Sequence, residues 1–263
     1  MRLLIAIALG CGLFLSMARH DAWAEASAAP ASVADVLTLR TLHVPPFSQA
    51  PQGDEGPDGI LVTLVQRTLS FMGIRSRVIV SSWPEALQAI QAGQADAVFP
   101  CMESPDRRKW LRFPSTPLTR FRMALFAQRY QKAPPWNGNM ESLSGLTIGR
   151  IRLARVAPLF DRAAESDLFT VSEWDEPDDM VTALADGKLD LIAFENVMVR
   201  YSAKHQGVYG RLRQLDPLLA KAPVYLAFSR QRTDAALTQQ FDATLNRLLA
   251  QGAFDALVQR WIR

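Results

Sequence analysis

The stretch DAVFPCMESPDRRKWLRF, Asp96–Phe113, decides the architecture. It opens as an apolar strand, which Pro100 is expected to end, and runs at once into Glu103, Asp106, Arg107, Arg108 and Lys109. A strand that delivers charge at its carboxyl end is either entering a solvated turn or reaching a cleft where a fixed cation meets an anion. Two features upstream separate these readings. Ser82-Trp83-Pro84-Glu85 has a cap hydroxyl with a carboxylate three residues on, the capping-box arrangement that starts a helix. The helix that follows buries Trp83, Leu87 and Ile90 and stops at Gly93, leaving DAVF as the next strand.

Working back toward the amino end, RVIVS is a strand. Ile60–Met72 places Leu61, Leu64, Val65, Leu69 and Met72 on one helical face, with Gly73 as its stop. VLTLRTLHV, Val36–Val44, is another strand, broken by Pro45-Pro46. The order is β-α-β-α-β with short connections, which implies an α/β fold with a mostly parallel sheet flanked by helices. Open sheets of this kind bind ligands at the carboxyl ends of their strands. The residues after Phe99 therefore lie at the ligand edge.

Working forward, LTIGR and LFTVSEW are strands, Glu176–Asp186 is a helix with acids in its first turn, and GKLDLIAFEN closes a second α/β unit. This unit echoes the first. Gly93-Gln94-Ala95-Asp96 opens one strand and Gly187-Lys188-Leu189-Asp190 opens the other. Five residues past each aspartate stand Cys101 and Glu195, at equivalent strand tips. The carboxyl end adds the strand APVYLAFSR, a helix with the stripe Leu237, Phe241, Leu245 and Leu248, and a last helix carrying Phe254, Leu257, Val258 and Trp261.

Composition narrows the function classes. Met1-Arg2, the apolar run Leu3–Met17 and Ala22-Trp23-Ala24 read as a signal peptide, residues 1–24, cleaved before Glu25. Cys11 offers a lipoprotein alternative, in which Leu9 occupies a position where a small residue is wanted. Residues 25–35, rich in Ala, Ser and Pro, read as a disordered leader. A periplasmic location follows. The net charge of +3 includes two signal arginines, so nucleic acid is not an expected partner. Cys101 alone survives cleavage, which leaves no internal disulfide. His43 and His205 are too few for a histidine-rich metal site.

Several segments, in order, resemble the bacterial extracellular solute-binding proteins of family 3. They are VPPF (Val44–Phe47), DGILVTLVQRTLSFMG, SWPEALQAIQAGQADAVF, SPDRRKWLRFPSTPL, LSGLTIG, ALADGKLDLIAFEN and LNRLLAQGAFDALVQRW, and they cover nearly the whole mature chain. The resemblance implies a two-lobed periplasmic-binding-protein type II fold. Lobe one would span 36–126 and 225–263, and lobe two 127–224. Hinge crossings would fall near Met123–Arg129 and Pro223–Ser229.

It also implies roles. Ser104-Pro105-Asp106-Arg107 stands where the family carries a carboxylate-binding arginine, with Phe113 six residues beyond. Arg107 would clamp a ligand carboxylate, and Glu195 would hold its ammonium from the other lobe. Phe47, Val44, Cys101, Met102, Ser104, Arg152 and Asn196 complete the candidate ligand-binding set. Alternatives stand beside these roles: Arg108 for the clamp, helix capping by Glu195 or Asn196, plain packing for Cys101 and Trp83, a rim position for His43, and exposure for Arg152 and Arg155.

The sequence departs from the family pattern at Val44, at Pro100-Cys101-Met102-Glu103, and at Arg152-Leu153-Ala154-Arg155. Two extra arginines in the last turn favour a more anionic solute, while Glu103 opposes it. The implied function is capture of a small polar solute, an amino acid or related small acid, by hinge closure for an inner-membrane ABC permease. The protein would be a monomer, with no cofactor, metal or catalytic residue. The alternatives are a transporter-independent sensory or accessory receptor, and a periplasmic dehydratase of the cyclohexadienyl type, for which Glu195, Glu103 or His43 would have to serve as acid or base.

Overall fold

A computed structural model describes residues 36–262 apart from 52, 54, 132, 133, 135 and 153–155. The signal peptide with Cys11, the leader and Arg155 lie outside the described residues. The first sheet is built from β1 (Leu37–Thr41), β2 (Ser76–Val80) and β3 (Ala97–Cys101), all parallel, with α1 (Ile60–Phe71) and α2 (Trp83–Gln91) as the crossovers. A short α3 (Pro105–Arg108) and β4 (Leu111–Arg112) follow. The long β5 (Thr119–Gln128) then carries the chain into a second sheet.

There β6 (Thr147–Ile151), β7 (Thr170–Trp174) and β8 (Leu191–Glu195) are parallel. They are connected by α4 (Pro158–Glu165) and α5 (Pro177–Ala185), and α6 (Asn196–His205) follows β8. The 18-residue β9 (Leu212–Ser229) returns antiparallel to β5 and pairs with β3 and β4 of the first sheet. The strand order is β2-β1-β3-β9-β5-β8-β6-β7. Each lobe thus has a parallel trio, and the antiparallel pairs come from β4 and from the two strands, β5 and β9, that join the lobes. Two helices, α7 (Ala235–Ala250) and α8 (Ala253–Ile262), finish the chain. The α8 helix rests on α1 and also on α6, where Lys204 donates to the Ile262 carbonyl at 3.2 Å.

The local rules operate as expected at α2. The Ser82 hydroxyl accepts from the Glu85 amide, and a Glu85 oxygen accepts from the Ser82 amide at 2.9 Å. This holds the Glu85 carboxyl below the usual carboxylate range. β3 shows why a strand buried on both faces reads as a continuous apolar run. Ala97 and Phe99 belong to the main core, while Val98 and Cys101 pack with α2 residues Ala86, Ala89 and Ile90 on the other face.

Pro100 does not end β3. The pairing with β9 slips by one residue between Val98 and Cys101. Pro100, which has no amide proton, occupies that bulge, where a ladder bond is not needed. The extra residue puts Val98 and Cys101 on the same face. Trp83 is half-buried rather than core, and so is Leu87, while Ile90 is buried.

The echo between the two halves has a structural cause. The Thr38 amide at the start of β1 donates to Asp96 Oδ2 at 2.8 Å, and the Thr147 amide at the start of β6 donates to Asp190 Oδ2 at 2.7 Å. Each aspartate thus ties the entry of one strand to its parallel neighbour.

Candidate functional site

The tip of β3 gathers four of the expected residues. Ser104 caps α3, its hydroxyl accepting from the Arg107 amide at 3.3 Å. The Arg107 guanidinium donates to the Met102 carbonyl at 2.7 Å and lies 4.9 Å from the centre of the Trp83 ring. An aromatic face attracts a guanidinium electrostatically, so Trp83 holds this side chain as well as packing beneath it. Cys101 is fully buried, its thiol directed at the Met102 carbonyl, and burial pushes its pKa up to about 11 despite the Arg107 charge nearby. Met102 is 43% exposed.

The charge run resolves into pairs. Glu103 pairs with Arg108, and Asp106 with Lys109 at 2.7 Å. Among the described residues no carboxylate pairs with Arg107. Of three neighbouring cations, it alone reaches the strand tip with its charge unneutralised. Glu103, expected to oppose an anionic solute, is itself neutralised.

Val44 and Phe47 form a second group on the first lobe. The Phe47 amide donates to the Val44 carbonyl at 2.9 Å; Phe47 is buried and Val44 half-buried. The Phe47 ring packs 4.8 Å from that of Phe121, on the joining strand β5. His43 is exposed, with Nδ1 accepting from the Ala50 amide at 3.1 Å.

On the second lobe, Glu195 ends β8 and caps α6. Its Oε2 accepts from the Met198 amide at 3.0 Å and its Oε1 from the Arg122 amide of β5 at 3.2 Å. It is only 3% exposed, and burial raises its pKa to about 7, against the opposing pull of these amides and the Arg122 charge. The adjacent Asn196 turns elsewhere, donating to the Gln214 side chain on β9. Arg152 is exposed and committed to Asp175 at 2.7 Å and Glu173 at 3.2 Å, contacts that raise its own pKa. The turn therefore adds less positive charge than its sequence implies.

The structure brings Cys101, Met102, Ser104 and Arg107 together, and Val44 with Phe47. Glu195 and Asn196 are chain neighbours with separate partners, and Arg152 stands apart with its acids. Sequence reasoning missed Phe121 and Arg122. They are adjacent on β5, one packed on Phe47 of the first lobe and the next bonded through its amide to Glu195 of the second. The alternation Phe121, Met123, Leu125 between polar or small residues was the available signal for a strand starting before Met123.

Two lobes joined by antiparallel strands, with charged groups at the strand tips, define a two-lobed binding-protein fold. The family model for bacterial extracellular solute-binding proteins, family 3, matches residues 39–263, and the chain belongs to that family. Solved structures share the fold at low identity. The second substrate-binding domain of GlnP from Lactococcus lactis, in an open conformation, is 17% identical with a TM-score of 0.68, covering 89% of this chain and 97% of that one. The probable amino-acid ABC transporter extracellular-binding protein ytmK from Bacillus subtilis is 15% identical with a TM-score of 0.72, covering 87% and 97%. A histidine kinase sensor domain with similarity to periplasmic binding proteins is 22% identical with a TM-score of 0.65, covering 86% and 96%. No curated protein matches the chain.

Proposed function

We propose that this protein is an exported receptor that captures a small solute bearing a carboxylate, an amino acid or related small acid, between its lobes, and hands it to an inner-membrane ABC permease. The observation that carries this reading is Arg107, an unneutralised guanidinium fixed at the tip of β3 by the Met102 carbonyl and the Trp83 ring. A planar, permanently charged fork suits bidentate capture of a carboxylate. Glu195 supplies the opposite charge. The Met198, Arg122 and Val197 amides act on its carboxylate and take up to three of about four lone-pair positions, which leaves one for a ligand ammonium. Closure moves the second lobe about β5 and β9, and the solute favours it only by binding the closed form better.

No reaction is proposed. His43, Glu103 and Glu195 each have their own protein partner and form no joint acid–base constellation. A sensory role without a transporter is a second reading, favoured by the histidine kinase sensor domain that shares the fold. Calorimetry against a panel of amino acids and small carboxylic acids tests the main reading. Binding of one class, lost in Arg107→Ala, supports it. Unchanged affinity for the bound solute in both Arg107→Ala and Glu195→Ala overturns it.

A further inference from the structure

Beneath α6, on the flank of the second lobe, is a hollow of about 290 Å³. Of the candidate solute-binding residues its lining includes only Asn196, whose side chain is turned to Gln214, and none from the first lobe. Phe126 of β5, Val199 of α6 and Leu212 of β9 give it an apolar floor, and all three are buried. Arg129, Arg200 and Arg213 converge on it from three separate elements.

Each guanidinium is oriented by a neutral acceptor. Arg129 Nε donates to the Gly210 carbonyl at 2.8 Å, and Arg200 Nε to the Tyr209 hydroxyl at 3.3 Å. Arg213 donates to the carbonyls of Gln128 and Gln131, both at 3.4 Å. Among the described residues no carboxylate pairs with any of the three. The acid close by, Asp216, accepts from Gln214 at 3.0 Å, and Gln214 in turn accepts from Asn196. Elsewhere on this lobe arginines do find acids: Arg150 and Arg152 pair with Glu173, and Arg211 with Asp186. Three like charges around one concavity repel one another unless something anionic sits between them. Each also keeps donors in hand, since a guanidinium carries five and these use one or two.

We propose that this hollow binds a small polyanion, a compact molecule with two or more carboxylate or phosphoryl groups, at a site separate from the solute site. The guanidiniums would take the oxyanions, and the floor would cover the body of the molecule. The inference does not depend on the solute reading, because it uses no residue of the Arg107 cluster.

The test is calorimetric titration of the intact mature protein with pyrophosphate and, separately, citrate, at low and at physiological salt. Binding of either is expected with a Kd below about 1 mM at low salt, weakening as salt screens the charges. The R129Q/R213Q double variant, altered at one exposed and one half-buried position, is expected to lose about tenfold or more in affinity for the probe. Arg107→Ala should leave probe binding unchanged. Arg200→Glu, read beside it with a melting curve, separates loss of the site from loss of the fold. The proposal is overturned if neither probe binds, if Arg107→Ala removes the binding, or if the double variant binds as the wild type does. Capture by phosphatidylglycerol vesicles without any response to the soluble probes also overturns it.

Discussion

Asp96 and Asp190 make the same hydrogen bond in the two halves of the molecule, each accepting the amide that opens the neighbouring parallel strand, at 2.8 and 2.7 Å. Their surroundings differ. Asp96 is buried and also paired with Arg232 at 3.1 Å, while Asp190 is exposed. Replacing Asp96 with Ala therefore strands a part-buried amide and a half-exposed arginine, and about 1–2 kcal/mol of stability should be lost. Asp190→Ala lets water take over and should cost about 0.5–1 kcal/mol. Urea denaturation of the two variants checks the order; equal losses would refute the burial argument.

Trp83 predicts a graded loss at the Arg107 clamp. Without the ring the guanidinium keeps the Met102 carbonyl but loses an aromatic support worth about 0.5–2 kcal/mol. Trp83→Leu should weaken solute binding by roughly twofold to thirtyfold, in line with that energy, and less than Arg107→Ala does. Calorimetry with the captured solute reads both variants. A Trp83→Leu protein with wild-type affinity would mean that the stacking does not position the clamp.

Cys101 should behave as a packed thiol. Fully buried and raised to a pKa of about 11, it presents almost no thiolate at pH 8. A thiol reagent is expected to leave Cys101 unmodified in the native protein and to label it in denaturant. Rapid native labelling that solute suppresses would instead place the sulfur in the cleft.

Gly59 predicts a local backbone failure. It has φ of 136°, and a Cβ there would lie 2.5 Å from the Phe47 carbonyl oxygen. That oxygen also accepts the Leu61 amide in the first turn of α1, so it is not free to move. Gly59→Ala should cost about 1–3 kcal/mol and disturb the Phe47–Phe121 contact. A thermal melt and solute affinity together check it.

What was legible in the chain was what local rules control. The capping box at Ser82 and Glu85 fixes a helix start with residues three apart, so it could be read without knowing the fold. Residues 212–221 of β9 could not. Pro217 interrupts any strand signal there, and the segment is extended because β5 pairs with it, a relationship about 90 residues away in sequence. The same distinction runs through the site. The location of Arg107 just past β3 follows from a short connection. The neutralisation of Arg152 depends on the register that sets β6 beside β7 and brings Glu173 within reach. The basic hollow was invisible because Arg129, Arg200 and Arg213 come together only through tertiary packing.

Glu195 makes the pH dependence specific. Its carboxyl has a pKa of about 7 in the folded protein, against an ordinary 4.5, chiefly because burial penalises the charged form. Between these values the folded chain holds a proton that the unfolded chain has released. The group's contribution to stability is therefore fully present below about pH 4.5, falls as pH rises by up to about 1.4 kcal/mol per unit, and levels off above pH 7. Glu195→Gln removes this slope. The difference in unfolding free energy between wild type and Glu195→Gln, followed from pH 4 to 8, should fall over that window and then flatten. A difference that stays constant would show that the carboxyl ionises normally. Solute binding should run the opposite way. An ammonium group binds the ionised carboxylate, so the affinity of a zwitterionic solute should rise through pH 7 in the wild type and stay level in Glu195→Gln. Stability falling while affinity rises over the same window is a signature that simple helix capping by Glu195 does not produce.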